Sequence, residues 1–315
     1  MEKRSKNLKE GKFIPLTFDL MFKKVFGNEE DKRPIKYLLK CILDIEVADV
    51  EILNQEIIGE VFGDKTPTVD LIVKLNDGTK VGIEMNTNVN TQLLNRNLFY
   101  MFRIMGRDLK KGESYNKLNK HIQINFDCEG YHRSPISRYR LIEDNDLEDV
   151  LTNILTIYRI DIPYYVNKCY NEDVKKLNNK EKFIGLIGID DKEKTSEIVR
   201  GDNDMEDIYN KVEEFNGFED IIGAYDGEWH RQEVMRTVME EKIEKATKKA
   251  TEQAIEQGIE QGIQQGIQQG IQQGMEKGSI QEKENIAKNM LKEGIDINII
   301  SKVTGLTLEQ INNLK

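Results

Sequence analysis

Two acidic residues, Asp70 and Glu84, lie in neighbouring segments whose spacing directs them towards one point. Residues 69–75 and 80–85 are rich in β-branched and aliphatic side chains, and the turn signal NDG at 76–78 separates them. This pattern predicts a β-hairpin. We therefore expect both acids to belong to one pair of antiparallel strands.

The length of the hairpin loop decides whether the two carboxylates meet. A three-residue loop, with Gly78 in the left-handed conformation, places Asp70 directly opposite Glu84. A two-residue loop, Asp77-Gly78, pairs Asp70 with Met85 instead and sends the acids to opposite faces of the sheet. The NDG sequence favours a three- or four-residue loop because such loops use these residues.

Carboxylates that are directly opposed across two strands have Cβ atoms about 4.5–5.5 Å apart, and like charges there destabilise the pair. A divalent cation with oxygen ligands removes this repulsion. Mg²⁺ is such a cation, and it is commonly held by one or two carboxylates together with water. The pair Asp70 and Glu84 therefore predicts a Mg²⁺ site, or a site for another divalent cation.

The elements around the hairpin indicate a mixed α/β layer. Apolar spacing predicts a helix over residues 18–26, capped by Thr17, and a second helix that begins near Pro34. Alternating residues predict strands over 49–58 and 121–127 and an extended segment up to Pro163. A helix is expected over 90–111, ended by Gly112. In the first helix, Asp19 is placed to favour the helix dipole and to pair with Lys23.

One face of the helix predicted over 90–111 is polar and basic. Its members fall at i, i+4, i+7 and i+11, and they are Arg96, Tyr100, Arg103 and Arg107. Guanidinium groups bind phosphate oxygens bidentately, so this stripe is a candidate DNA-binding surface. Basic helix faces are also common as plain solvated surface.

Charge is distributed unevenly along the 315 residues. The chain carries a net charge of −10, but residues 1–140 hold 24 Lys/Arg and 20 Asp/Glu, whereas residues 141–315 hold 22 and 36. This asymmetry fits a chain whose front half can bind phosphate groups and whose rear half is acidic and repels them. Three widely spaced cysteines indicate neither a disulfide framework nor a zinc site. The polar start of the sequence leads us to expect a cytoplasmic protein without a membrane span.

The rear of the sequence contains a four-residue repeat, IEQGIEQGIQQGIQQGIQQGMEKG, over residues 255–278. Two structures are compatible with it: a long helix whose glycine rows let a second helix approach, or a frayed tether. Residues 280–291 and 295–314 predict short helices, the latter resembling a helix-turn-helix around Gly305 that is short of basic residues. We divide the chain into a core (1–165), a helical region that completes or covers it (166–250), the repeat (251–278) and a C-terminal helical pair (279–315).

Several motifs together resemble the recombination-promoting nucleases, also called PD-(D/E)XK nuclease family transposases. The resemblance covers essentially the whole chain. The motifs are FDLMFKKVFG, VDLIVKLNDGTKVGIEMN, NRNLFYMFRIMGRDLKKGESY, YHRSPISRYRLIE and the GIEQG-type tail. It implies a restriction-endonuclease-like core of helix, three strands, helix and strand, and metal-dependent hydrolysis of DNA.

The resemblance also implies roles for individual residues. Asp70 and Glu84 match the two acidic positions and, with the backbone carbonyl of Met85, would hold Mg²⁺; Asp19 matches the acid of the first helix and could join through water. Arg96 and Tyr100 match the basic-aromatic helix.

Asn86 is at the final polar position of the motif, where the wider superfamily has Lys and this family usually has Gln. A neutral amide can orient a water but cannot lower its pKa as a cation would. Two hypotheses follow: a Mg²⁺-dependent DNA endonuclease, or a catalytically weak or inactive DNA-binding, self-associating protein of the same fold. In either case the tail is expected to form a homodimer.

Overall fold

A six-stranded mixed sheet organises the first of two compact units in the computed structural model of the chain, which describes residues 8–53, 69–87, 89, 91–130 and 134–314. The units are Met1–Gln232 and Glu233–Lys315. The strands are β1 (Val50–Leu53), β2 (Leu71–Leu75), β3 (Lys80–Asn86), β4 (His121–Asp127), β5 (Ile136–Ile142) and β6 (Val150–Asp161). Their spatial order is β1-β2-β3-β4-β6-β5. The β3–β4 and β4–β6 pairs are parallel, and the other three are antiparallel. The predicted mixed α/β class is confirmed.

The hairpin formed by β2 and β3 has the three-residue loop. Leu71 pairs with Ile83 and Lys74 with Lys80, a register that continues to Leu75 and Thr79 at one end and to Asp70 and Glu84 at the other. The Leu75 N–H donates to the Thr79 carbonyl at 2.8 Å. Gly78 has φ +86°, the left-handed conformation that this loop requires. The predicted register is therefore confirmed, and the two-residue alternative is excluded.

The two faces of the sheet differ in chemistry. On one face, aliphatic and aromatic side chains of β2, β3 and β4, among them Val73, Ile83 and Phe126, are buried in the main hydrophobic core. On the other face, β3 and β4 present Glu84, Asn86 and a row of buried polar side chains: His121, Gln123, Asn125 and Asp127. Alternation along a strand separates these sets because successive side chains point to opposite faces.

Ten α-helices accompany the strands within the described residues. They are α1 (Asp19–Phe26), α2 (Arg33–Leu43), α3 (Thr91–Met105), α4 (Ile162–Asn171), α5 (Asn179–Gly188), α6 (Lys192–Val199), α7 (Asn203–Phe215), α8 (Glu219–Lys292), α9 (Ile297–Thr304) and α10 (Leu308–Asn312). Side chains of α1, α2, α5 and α7 contribute to the core that covers the apolar face of the sheet. Pro34 is in the first turn of α2, as predicted.

Some predicted boundaries are wrong for local reasons. The N-cap of α1 is Phe18 rather than Thr17, and no side chain caps it. The helix expected over 90–111 ends at Met105, before Gly106, and a tighter turn follows in which the Arg107 N–H bonds to the Ile104 carbonyl. Arg107 therefore lies beyond the helix.

Two glycines of α5, Gly185 and Gly188, lie where this helix packs against α4. Gly185 lies inside α5, where a Cβ would collide with the Cys169 side chain of α4, and a Cβ at Gly188 would collide with Ile162. These glycines permit close packing of the two helices.

The strand predictions were incomplete. The first strand, expected over 49–58, is described over Val50–Leu53. The remainder of that segment lies outside the described residues. The extended segment up to Pro163 is β6 followed by α4, with Pro163 in the first turn. Strand β5 was not predicted.

An ion-pair cluster fixes the segment after α3 to the sheet. The buried Asp108 carboxylate contacts the Lys80 ammonium at the start of β3 and accepts a hydrogen bond from His121 Nε2, 2.7 Å away, at the start of β4. Burial raises the pKa of Asp108, but its two basic partners outweigh this, and the net shift is downwards. Asp108 is therefore ionised and joins α3 to the strands it covers.

The repeat is helical. Helix α8 continues through it to Lys292, so the separate helix expected over 280–291 is part of α8, and the predicted boundaries at 250 and 278 both fall inside this helix. Within the second unit, the repeat isoleucines from Ile255 to Ile271 are 58–59% exposed. A Cβ added at any repeat glycine from Gly258 to Gly278 would meet no described atom within 4 Å.

The chain ends in three helical segments that share a small core. The last turns of α8, together with α9 and α10, bury Ala287, Ile300, Leu306 and Ile311. Gly305 ends α9 in the left-handed conformation, and Thr307 caps α10. Among the described helices, none is both long and apolar enough to cross a membrane.

Candidate active site

Asp70 and Glu84 lie together at one end of the β2–β3 pair. Asp70 Oδ2 accepts the Met85 backbone N–H at 2.7 Å, which fixes one carboxylate against β3. Glu84 is only 2% exposed. Its Oε2 is 3.8 Å from the Arg96 guanidinium, and its Oε1 is buried with no hydrogen-bond partner among the described residues. An ionised oxygen in this position requires a further positive or proton-bearing neighbour.

The environment raises the pKa of both acids. Burial is the main cause at Asp70, with the Asp19 charge adding to it, and the pKa rises to about 6. Burial again dominates at Glu84, followed by repulsion from Asp70, and the pKa rises to about 8. Two carboxylates that repel each other in a low-dielectric site favour protonation or a bound cation. The strand register thus creates a site with unbalanced negative charge.

Lys23 connects the acid pair with helix α1. Its Nζ is 2.9 Å from Asp19 Oδ2 and 3.4 Å from Asp70 Oδ1. Burial lowers the pKa of Lys23, but the two carboxylates outweigh it and the net shift is upwards. The ammonium is therefore charged. The predicted pairing of Asp19 with Lys23 is confirmed, and the structure adds Asp70 as the second partner of the same lysine.

The donor set fits Mg²⁺. Within the described ranges, no three His, Cys, Asp or Glu side chains are grouped closely enough to hold a metal ion. Mg²⁺ does not need three, because it usually binds one or two carboxylates and keeps several waters. Such a cation would satisfy Glu84 Oε1, which has no hydrogen-bond partner in the described part of the chain, and would offset the burial and repulsion that raise the pKa of both acids.

Asn86 lies two residues beyond Glu84 on the same face, and its side chain belongs to a buried network. Its Nδ2 donates to Asp127 Oδ1 at 2.7 Å, and its Oδ1 accepts from Asn97 Nδ2 at 3.1 Å. Asp127 also accepts from Arg159 at 2.9 Å, and Asn97 donates to Asn125 at 3.0 Å. Asn86 is 1% exposed. This arrangement favours a positioning role for Asn86 over direct contact with bulk water.

The predicted basic stripe is present over part of its length. Arg96, Tyr100 and Arg103 are on α3, with the Arg96 guanidinium 5.8 Å from the centre of the Tyr100 ring and that of Arg103 5.7 Å from the Phe99 ring. Arg107 is in the turn that follows. Arg96 links the basic stripe to the acid pair, because its guanidinium lies 3.8 Å from Glu84 Oε2.

A cavity of about 570 Å³ opens beside the acids. Asp19, Asp70 and Met85 line it, so the structure brings Asp19, the predicted outer ligand, to the same space as Asp70. The opposite wall comes from the first turns of α8, with Tyr225 and Trp229 among its members. None of the α8 residues was predicted to take part in the site.

Comparison with known proteins identifies the family. Residues 16–254 match the model of the PD-(D/E)XK nuclease family transposases, which is about three quarters of the chain. The chain belongs to this family. Residues 280–315 match a second model, the C-terminal HTH domain of the Rpn/YhgA-like nuclease family, so the resemblance to a helix-turn-helix is confirmed. No curated protein and no solved structure gives a significant match.

In this PD-(D/E)XK family member, sequence reasoning missed two further parts of the site besides the α8 residues. Lys23 was assigned only to Asp19, since nothing in the spacing indicates its approach to Asp70. The network around Asn86 had a signal: polar residues at 121, 123, 125 and 127 alternate with apolar ones. A fully buried strand with one polar face predicts a polar network beneath a covering helix.

Proposed function

We propose that the protein is a Mg²⁺-dependent DNA endonuclease of the recombination-promoting, transposase-associated kind. The observation that carries the proposal is the buried Oε1 of Glu84, which has no hydrogen-bond partner within the described residues, one position beyond the Leu71–Ile83 pair that follows Asp70. Family membership, the basic stripe on α3 and the C-terminal HTH domain support DNA as the partner. We infer a restriction-endonuclease-like core from the chain order α1, β1 to β3, α3 and β4.

In the proposed reaction a water oxygen bonds to the phosphorus, one P–O bond breaks, and the leaving sugar oxygen gains a proton. Asp70, Glu84 and the Met85 carbonyl would hold the cation, and Asp19 would contribute through a water. When bound there, a divalent cation would supply charge compensation at the phosphate and lower the pKa of the attacking water. Lys23 lowers the pKa of both acids against the effect of burial and so favours their ionised form, and Asn86 positions the end of β3.

Contacts to the DNA backbone are assigned to Arg96, Tyr100, Arg103 and Arg107. Each phosphate contact that is lost reduces the slope of log affinity against log salt by about 0.9 on duplex DNA. We expect Arg103→Ala to weaken duplex binding and to lower this slope, with Lys175→Ala, an exposed basic residue elsewhere, as the control.

Supercoiled plasmid is the substrate for the decisive test. The wild-type chain should nick it with Mg²⁺ and not with EDTA, and Asp70→Asn and Glu84→Gln should abolish nicking. These variants keep the size of the side chains and remove the charge. Equal cutting by the wild type and both variants would refute the assignment of the site.

A second candidate function has its own observation. Both polar groups of the Asn86 amide are engaged with Asp127 and Asn97, which favours a catalytically weak DNA-binding, self-associating protein. Mg²⁺-dependent cleavage by the purified wild type would exclude this candidate.

We also propose that the chain forms a homodimer through the exposed isoleucine and glycine rows of α8. Rows of glycine allow two helices to approach closely. A chain that ends at Lys249 should sediment as a monomer, and an oligomeric state equal to that of the full chain would remove the idea.

A further inference from the structure

The cavity beside the acid pair has a second wall whose chemistry differs from that of the first. Tyr225, Glu228, Trp229 and Gln232 recur on α8 at i, i+3, i+4 and i+7, and all of them line the cavity together with Arg231. This spacing places them on one side of the helix. The acidic wall and the aromatic-basic wall therefore face the same space.

The aromatic part of the wall combines one fixed ring and one accessible ring. Tyr225 packs edge-on against Phe18, with ring centroids 5.4 Å apart and planes at 88°. Trp229, one turn further along α8, is 44% exposed. An indole with an accessible face at a cavity that also contains carboxylates is a stacking platform for a flat, polar ligand.

The basic part of the wall is held by one glutamate. Glu228 accepts from Arg231 at 2.6 Å and from Gln232 at 3.1 Å, which orders both side chains along the cavity. Exposed ion pairs of this kind are worth about 0–1 kcal/mol. A phosphate can therefore replace the carboxylate as the partner of the guanidinium at little cost.

A nucleotide presents these two features together, a flat base and a phosphate. In duplex DNA, the neighbouring bases cover both faces of each base, so a side-chain ring can stack only on a base that is unpaired or extruded. We propose that the α8 wall is a nucleotide subsite in which Trp229 stacks on an unpaired base and Arg231 binds an adjacent phosphate. The preferred substrate is then DNA with a single-stranded segment beside the bond to be cut. This inference rests on the proposed nuclease function of the neighbouring acids.

The sequence offers a direct probe, because Trp229 is the only tryptophan. Full-length protein carrying Asp70→Asn, to prevent cutting, is titrated with a 12-nucleotide single strand and with the corresponding blunt duplex. We expect saturable quenching of the intrinsic fluorescence by the single strand at a concentration at least fivefold lower than for the duplex. Equal quenching by both forms would overturn the proposal.

The affinity of each variant for a dye-labelled single strand separates the contributions of Trp229 and Arg231. Trp229→Ala should weaken binding roughly 5- to 150-fold, the range for one base–aromatic stack, and Trp229→Phe should stay within about threefold of wild type. Arg231→Ala should also weaken binding. Arg236→Ala is the matched control, because Arg236 forms the same pair with Glu233 at 2.6 Å, and it should bind like wild type. Unchanged binding by Trp229→Ala would overturn the proposal.

The subsite and the nuclease can fail separately. If the single strand binds through Trp229 but no divalent cation supports cleavage, the proposed function fails and the subsite is supported. If cleavage is Mg²⁺-dependent while Trp229→Ala binds and cuts single-stranded and duplex DNA like wild type, the subsite is overturned and the nuclease stands.

Discussion

Lys23 Nζ lies 3.4 Å from Asp70 Oδ1, and this contact joins helix α1 to the acid pair of the hairpin. The two residues are 47 positions apart in the sequence. The lysine places a positive charge beside Asp70 on the side of α1, where it also binds Asp19. The charge state of the site therefore depends on a helix that is not part of the hairpin.

Replacing Lys23 should reveal this dependence. In EDTA at pH 8, Lys23→Met should lower the free energy of unfolding by about 1–3 kcal/mol, because a buried carboxylate loses its partner. Addition of Mg²⁺ should raise the melting temperature more in Lys23→Met than in the wild type, since the cation replaces the missing charge. Lys24→Met is the control on the same helix, where Lys24 pairs with Asp220 at 2.8 Å. An equal Mg²⁺ response in wild type and Lys23→Met would contradict the role of Lys23.

The raised pKa values predict a pH dependence of stability. The unfolded chain has carboxyl pKa values of about 3.9 and 4.3, whereas burial raises those of Asp70 and Glu84 to about 6 and 8. The native state thus binds more protons between these limits, and its stability falls as the pH rises from about 4 to 8. At pH 8, Glu84→Gln should be more stable than wild type by at least about 1.4 kcal/mol, the value of one pKa unit.

Urea unfolding in EDTA from pH 5 to 8.5 measures this dependence. The advantage of Glu84→Gln should shrink steadily as the pH falls towards 5 and reach zero only near pH 4, where Glu84 is protonated in the unfolded chain as well. Glu148→Gln, a change at an exposed position, should follow the wild-type curve. A constant difference between Glu84→Gln and wild type across the range would show that protonation of Glu84 is not the cause.

The polar face of the sheet should be sensitive to single amide deletions. Asn97 is buried on α3 and donates to both Asn86 and Asn125. Asn97→Ala should lower the free energy of unfolding by about 1–3 kcal/mol, because it leaves buried acceptors without donors. Asn95→Ala, at an exposed position on the same helix, should change it by less than about 0.5 kcal/mol. Denaturant unfolding of the Asn97→Ala and Asn95→Ala variants measures both changes. Equal losses of unfolding free energy in the two variants would contradict a stabilising role for the network.

The repeat of α8 allows a matched test of self-association. Gly266→Leu with Gly270→Leu adds side chains to a glycine row, which blocks close approach of a second helix while favouring the helical state. Gln265→Leu with Gln269→Leu adds the same residues to the neighbouring row. Sedimentation equilibrium should show at least about tenfold weaker association for the glycine variant than for the glutamine variant. Comparable weakening in both would indicate that the glycine row is not the contact.

Sequence reasoning succeeded where local chemistry decides the structure. The NDG turn determined the hairpin register, and alternation located β4 at its observed bounds, His121–Asp127. It failed where pairing over long distances decides. Asn86 bonds to Asp127 because β3 and β4 run parallel, and alternation alone cannot give that pairing. The position of the α8 residues at the cavity depends on how a helix distant in sequence from the hairpin packs. The residue spacing near Trp229 does not predict that packing.

The hairpin loop gives the site an unusual kind of mutational sensitivity. Glu84 is five residues from Thr79, about 17 Å along an extended strand, yet the loop at that distance fixes which residue faces Asp70. Insertion or deletion of a single residue at 76–78 would leave both Asp70 and Glu84 in the sequence and still move one of them to the other face. In descendants of this chain, a change in the length of an exposed loop would therefore disable the site as completely as the loss of either carboxylate.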